Sequence, residues 1–349
     1  YELRDGIPIA RIFDQDIFDL KNFASRTEVA EKISLKSFDI LHCHDQLMLY
    51  IGSKVKKLRP ETLLVYDSHE LFHSWPINYS SRANPWVKLK SDVVRKVEVS
   101  REKNSARKID HLITVSKSIG DDLKKYFHLN NEPKIIRNFA EYEEAKELKQ
   151  NLRDELGIPD STKLILNFSL YIYWKSRNIE AAIEQIANKP NVAMVFICGE
   201  GGNKNEIMEW VKNAGYSNIY FHNAVQTHEI VGTLKSADYG LLSTWNKKYM
   251  SYWLGLENKL FHYVMAELPI LASAQPEHKE IIEKYKIGVC VDADKPGAYY
   301  DGFLELEKRK EEFKNNVREA KKILNWEQEQ KKLIELYNQL KTEFFSNAR

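Results

Sequence analysis

Cysteine is scarce in this chain. Only Cys43, Cys198 and Cys290 occur in 349 residues, far apart, and two of them sit inside apolar runs. That pattern is foreign to a disulfide framework and reads as buried thiols in a reducing compartment. Long hydrophobic runs are also missing: no stretch approaches the roughly 20 apolar residues of a membrane-spanning helix. The opening "YELRDGIPIARIF" has no apolar segment behind basic residues, so it does not read as a signal peptide. The expectation is a cytoplasmic protein. Excess charge of either sign is absent as well, with 52 basic and 50 acidic residues and a net charge of +2. Any basic surface must therefore be local, and with no nucleic-acid-reading module present, no nucleic-acid partner is expected. No internal repeat of solenoid period and no low-complexity tract appears.

What is present is a globular balance, 43% hydrophobic and 29% charged, long enough for two domains with separate cores. The first part alternates short apolar runs with helical stretches. "FDILHCHD" (38–45), "TLLVYDSHE" (62–70), "DHLITVSKS" (110–118) and "KIIRNF" (134–139) read as strands, with "QLMLYIGSKVKKLRP" a helix stopped by proline. Near-continuous apolar strands separated by helices predict a parallel α/β sheet. Residues 141–162 turn charged and turn-rich and read as a linker region. A second α/β set follows over 163–325, and a charged helical stretch with Trp326 closes the chain at 326–349. The fold class expected is α/β, two Rossmann-like domains (1–140 and 163–325) facing each other across a cleft. Ligands of such sheets bind where strands end, so polar residues there are the candidates.

"VYDSHELF" offers Asp67, His69 and Glu70, and "LHCHD" offers His42, His44 and Asp45. A histidine at a strand end can exchange a proton or bond a ligand hydroxyl near neutral pH, or simply cap the next helix. His-x-His-Asp also suggests a metal. No further histidine or carboxylate cluster at helical spacing completes a shell, so no metal is expected. "ICGEGGNKNEI" is a strand, a turn with Gly199, Gly201 and Gly202, and a helix. Glycines let amides approach a phosphate, but this is neither G-x-G-x-x-G nor a Walker A loop, and a plain tight turn explains it equally. "YWKSRNIEAAI" sets Lys175 and Arg177 before a helix, where a guanidinium would suit a diphosphate. "LGLENKLFHYVMAELPILAS" does the same with Lys259, and adds Glu257, Asn258 and, one turn in, His262. "DADK" (292–295), though D-x-D in form, precedes a proline and reads as a turn. The stretch 82–108 carries nine basic residues with Trp86, Val87, Val94 and Val97 interleaved. It reads as a solvated helix face or as a helix lying on an anionic membrane.

The order and spacing of "FDILHCHD", "VYDSHELF", "ITVSKSI", "IIRNF", "SRNIEAAI", "FICGEGG", "NKLFHYVMAELPILAS" and "NWEQEQKKLIELY" resemble the family 4 glycosyltransferases of the GT-B fold, of the bacterial polysaccharide-biosynthesis kind. The likeness runs from about Phe38 to about Tyr337. It implies a metal-independent, retaining transferase with no cofactor, taking a sugar from a nucleotide-diphosphate donor held mainly by the second domain. The acceptor implied is a glycan or lipid-linked saccharide offered by the first domain. It further implies a last helix, 326–349, that crosses back to the first domain.

By position, His69 resembles the histidine that faces the transferred sugar, and Arg177 and Lys259 the basic pair on the diphosphate; these three are the expected catalytic groups. Gly199, Gly201, Gly202, Asn223 and Val225 would flank the base, with Glu257, Asn258 and His262 also on the donor. His44, Asp45, Asp67 and Glu70 would lie on the acceptor side. Three departures stand out. At the helix 258–267 the family's two glutamates fall on Leu254 and His262 and Glu267 stands where glycine is usual; Ser169 or a neighbour replaces the usual glycine of the first loop of the second domain; and the family's first strand and glycine-rich loop have no counterpart ahead of Tyr1, which implies residues preceding it. Two other readings stay open: a non-catalytic relative binding a glycan or partner enzyme, and a nucleotide-sugar epimerase.

Overall fold

The computed structural model describes residues 2–4, 7–9, 23–75, 77, 84–144, 151–174 and 177–347. Lys175, Arg82, part of the linker region and most of the opening segment lie outside the described residues. Two parallel sheets organise the rest. The first part runs β1 (Glu2–Arg4), β2 (Ile7–Ile9), α1 (Phe23–Ser34), β3 (Ile40–His44), α2 (Asp45–Leu58), β4 (Leu63–Ser68), α3 (Pro85–Ala106), β5 (His111–Thr114), α4 (Lys117–Phe127) and β6 (Lys134–Ile135). Strands β3–β4–β5–β6 form its sheet in that order, all parallel, while β1 and β2 pair separately as an antiparallel hairpin.

The second part runs α5 (Leu152–Leu156), β7 (Lys163–Ser169), α6 (Ile179–Ile186), β8 (Val192–Cys198), α7 (Lys204–Asn213), β9 (Ile219–Asn223), α8 (Ile230–Leu234), β10 (Tyr239–Leu242), α9 (Met250–Trp253), α10 (Lys259–Met265), β11 (Ile270–Ser273), α11 (Pro276–Tyr285), β12 (Gly288–Val291), α12 (Ala298–Lys308), α13 (Lys310–Lys321) and α14 (Trp326–Asn347). Its six parallel strands are ordered β12–β11–β10–β7–β8–β9. The winding reverses between β7 and β10, which opens a crevice at their C-terminal ends.

The near-continuous apolar strands follow from burial on both faces. Leu164, Leu166, Val195 and Ile197 face one core of the second domain, while Ile165, Met194, Phe196 and Cys198 face the other. In the first domain Leu64, Tyr66 and Leu112 face a core shared with α2 and α4. The opposite face carries Leu63, Val65, Ile113 and Ile136, and these pack against Leu336 and Leu340 of α14. The last helix thus closes the core of the first domain, and its start is tied to the connecting segment by the Trp326 amide on the Ala140 carbonyl at 2.9 Å.

Local chemistry sets the helix ends. Asn84 caps α3 ahead of Pro85, and Ser116 Oγ accepts from the Ile119 amide at the start of α4. Past the end of α10, Glu267 adopts φ +61°, the left-handed region where glycine is the ordinary occupant. That is the physical reason for the usual glycine there. Here Arg318 (3.2 Å) and Lys321 (3.1 Å) hold the Glu267 carboxylate against α13. The three cysteines are unpaired, and burial pushes the thiols of Cys43 and Cys290 up to about 12.

Candidate active site

The two sheets face one another across a cavity of about 430 Å³. The first domain contributes His69, Glu70, Trp75, Val115 and Asn138 to its wall. The second contributes Arg177, the loop after β7 (Phe168, Ser169, Leu170), Thr244 after β10, and 251–252 with 255–259. Hydrogen bonds join the walls: Ser116 Oγ donates to the Leu254 carbonyl (3.2 Å), the Ser118 amide to Glu277 Oε1 (2.8 Å), and the Ser251 amide to Ser74 Oγ (3.2 Å).

Lys259 is positioned by its own helix. Gly240 on β10 has no side chain, and a Cβ there would meet the Tyr263 ring at 2.4 Å. The ring therefore lies directly over the strand, and the Tyr263 hydroxyl sits 3.1 Å from the carbonyl oxygens of both Leu166 and Leu241. With Tyr263 locked, Lys259 one turn earlier is aimed into the cleft. The helix is only seven residues long, so the positive character of this corner comes from side chains.

Those side chains meet on one carboxylate. Lys259 Nζ lies 2.7 Å from Glu257 Oε2, and Arg177 approaches the same oxygen at 4.0 Å. His278 of α11, wholly buried, has Nε2 at 3.8 Å from Glu257 Oε1. Burial works against the charge on Glu257, but Lys259, His278 and Arg177 outweigh it and hold the carboxyl at about 2. Burial lowers the Lys259 ammonium, opposed by Glu257, and lowers the His278 imidazole in the same way. The result is a cluster of two basic side chains and the carboxylate that joins them, all three lining the cavity. The Arg177 guanidinium also lies 5.7 Å from the centre of the Tyr252 ring.

On the facing wall, His69 Nε2 is 3.5 Å from Asp67 Oδ1 and its Nδ1 is 3.4 Å from Asn138 Nδ2. The Asp67 bond raises the His69 pKa against the effect of burial. Burial also opposes charge on Asp67, yet hydrogen bonds from His42 and His69 hold it well below the usual carboxylate range. Asp45, with φ +59°, accepts from the His69 amide at 3.4 Å. Glu70 is pushed up to about 7, by partial desolvation in the cleft wall and then by Asp45. His44 is lowered, mainly by burial and then by the neighbouring His42.

Arg177, Lys259, Glu257, Asn258, His69 and Glu70 therefore share one cavity. The other residues expected on the donor do not line this cavity, and Gly201, Gly202 and Asn223 are exposed. Gly199 donates its amide to the Leu170 carbonyl, and a Cβ on Gly202 would meet the Ile172 carbonyl at 2.4 Å. Asn223 Oδ1 accepts from Lys204 Nζ at 2.9 Å, and Val225 packs into the core. His262 meets the Phe168 ring edge-on, its Nδ1 3.2 Å from the Asn258 carbonyl. Gly199 and Gly202 thus allow close packing of this turn on the 170–172 backbone, and Gly201 lies against the Tyr171 ring. Asp294 in "DADK" is exposed and pairs with Lys247 at 2.9 Å. Sequence reasoning missed Trp75, Asn138, Tyr252 and His278. The only signal for them was the cluster of aromatics in "TWNKKYMSYW" and a histidine in an otherwise charged helix.

Two Rossmann-like domains and an interdomain cleft at the switch point of the second sheet are the architecture of the GT-B fold. The chain belongs to the glycosyltransferases of that fold: the family profile "Glycosyltransferase Family 4" matches residues 7–144 and "Glycosyl transferases group 1" matches residues 176–309. No curated protein matches in sequence. Solved structures share the fold. Sucrose-phosphate synthase from Thermosynechococcus elongatus superposes with a TM-score of 0.72 at 15% identity, over 93% of this chain and 79% of that one. Anabaena HepE in complex with UDP-glucose gives 0.72 at 14%, over 95% and 86%. A glycosyltransferase from Rickettsia africae gives 0.66 at 11%, over 95% and 84%.

Proposed function

We propose that this cleft transfers a sugar from a nucleotide-diphosphate donor to a glycan or lipid-linked saccharide, with retention at the anomeric carbon and without a metal ion at the diphosphate. The observation carrying this reading is the convergence of Arg177 and Lys259 on one buried carboxylate opposite His69. As the bond from the sugar's anomeric carbon to the diphosphate oxygen breaks, negative charge gathers on that oxygen. A guanidinium and an ammonium already held nearby stabilise it with little reorganisation. The acceptor oxygen forms the new bond to the anomeric carbon, and its proton leaves on the diphosphate. Without donor, Glu257 offsets only one of the two positive charges, and the arriving diphosphate supplies the rest. His69, oriented by Asp67 and Asn138, is suited to a sugar hydroxyl.

HepE was solved with UDP-glucose and with UDP and glucose, so UDP-sugars are the first donors to try. Transfer or slow donor hydrolysis is the assay. Arg177→Ala and Lys259→Ala should each lower kcat/KM by roughly 10²–10³-fold, the scale for losing one charge-stabilising group. Unchanged activity in both variants defeats the assignment, and the product's anomeric coupling constant reads retention in the same experiment.

A membrane-borne acceptor, as in cell-surface polysaccharide assembly at the inner face of a membrane, is favoured by α3. Its exposed face carries Trp86, Leu89, Val93, Val94 and Val97, interspersed with the exposed Lys90 and Lys96. Apolar side chains among lysines suit a helix lying in an anionic interface.

A further inference from the structure

We propose that His42, His44 and Asp67 form a binding site for a divalent transition-metal ion of the zinc class, on the acceptor wall and separate from the cations of the donor site. The sheet register brings the three together. Parallel pairing sets His44 beside Asp67 and His42 beside Val65. Residues two apart on a strand share a face, so both imidazoles project to the side on which Asp67 stands. Their rings stack with centroids 4.4 Å apart. The sequence alone lacked a third ligand because that ligand comes from a neighbouring strand.

The two Asp67 distances match those around an ion. Asp67 Oδ2 lies 3.1 Å from His42 Nε2 and 3.3 Å from His44 Nδ1, and the three ligand atoms lie within 4.8 Å of one another. A tetrahedral zinc with bonds of about 2.0–2.1 Å sets its ligand atoms about 3.3 Å apart. Two imidazoles and one carboxylate select zinc, cobalt or nickel over magnesium or calcium. The second ring nitrogen of His42 is engaged by the Tyr337 hydroxyl of α14 at 2.5 Å. Such an outer partner fixes the ring's orientation and tautomer in metal sites. The fourth position opens on a cavity of about 540 Å³ between the sheet and α14, with room for water or a substrate hydroxyl.

The site does not rest on the transferase reading. The ion would take the Asp67 oxygen that now pairs with both histidines, displacing any proton they share with it. The test is titration of the untagged full chain with cobalt(II) chloride and then zinc chloride, read by calorimetry and by the visible bands of tetrahedral cobalt. One ion per chain is expected, with the cobalt bands bleached by zinc. His44→Ala, at a side chain 61% exposed, should keep the fold, checked by its melting temperature, and weaken binding by more than roughly 100-fold. Tyr337→Phe should weaken it about 10–100-fold by freeing the His42 ring. No stoichiometric binding below about 1 mM, a free energy of only about 4 kcal/mol, overturns the proposal. So does binding that His44→Ala and Asp67→Asn leave unchanged. Either result leaves the three side chains as a hydrogen-bonded network alone.

Discussion

Glu102 is a carboxyl inside the core of the first domain. Only 1% exposed, it accepts from the Tyr66 hydroxyl at 2.8 Å through Oε1, while Oε2 has no partner. Burial raises its pKa from 4.5 to about 7, with the Tyr66 bond acting the other way. A folded-state pKa above the unfolded one means that the native chain binds the extra proton. Stability from this group is therefore full below about 4.5 and is lost as pH rises toward about 7. Glu102→Gln keeps an acceptor for Tyr66 and removes the buried charge. It should be more stable than the wild type at pH 8 by ~1–3 kcal/mol and lose that advantage at pH 5. Urea unfolding at both pH values checks this, and an advantage that grew toward pH 5 would reverse the argument. Legibility at this scale follows chain order. His69, Arg177 and Lys259 could be singled out because each sits beside a strand end or helix start. The Glu257–His278 contact could not, because it depends on how α11 lies beside the loop ahead of α10.

Among elements, α3 carries the proposed membrane contact. Among the described residues no helix is long and apolar enough to cross a membrane. The full chain should cosediment with vesicles rich in anionic phospholipid and less so as salt rises. Each surface lysine contributes about 1 kcal/mol near such a surface, so Lys90→Ala with Lys96→Ala should weaken binding roughly 30-fold. Equal binding to zwitterionic and anionic vesicles would remove the membrane reading. The helix itself was readable from its Asn-Pro start and basic run. Its apolar face was not fully so, because Leu89 and Val93 emerge as exposed only once the inward side is known. Glu267 makes the same point: the missing glycine was visible as a departure, but its positive φ and its two ion pairs were visible only in the folded chain.

For the whole molecule, α14 determines how the two halves cohere. Leu340, fully buried, fills the face of the first sheet beside Leu63, Val65, Ile113 and Ile136, although the helix follows the second domain in the chain. Leu340→Ala should cost 2–5 kcal/mol by the usual measure of a large-to-small core change. Because the chain has two cores, the loss should appear in the unfolding transition of the first domain, with the second little moved. Hydrogen exchange resolved by domain checks it, and equal loss of protection in both domains would mean that the cores unfold as one.

The amino-acid sequence by itself determined the class of fold, since burial on both faces forces near-continuous apolar strands and crossover helices force the alternation between them. It also marked His69, Arg177 and Lys259, because strand ends and helix starts are where such sheets expose polar groups. Tertiary structure alone decided which groups share a carboxylate: Glu257 with Lys259, Arg177 and His278, and Asp67 with His42 and His44. Those encounters depend on strand register and on the angle at which helices pack. Both are settled by long-range burial, and a linear pattern carries no record of them.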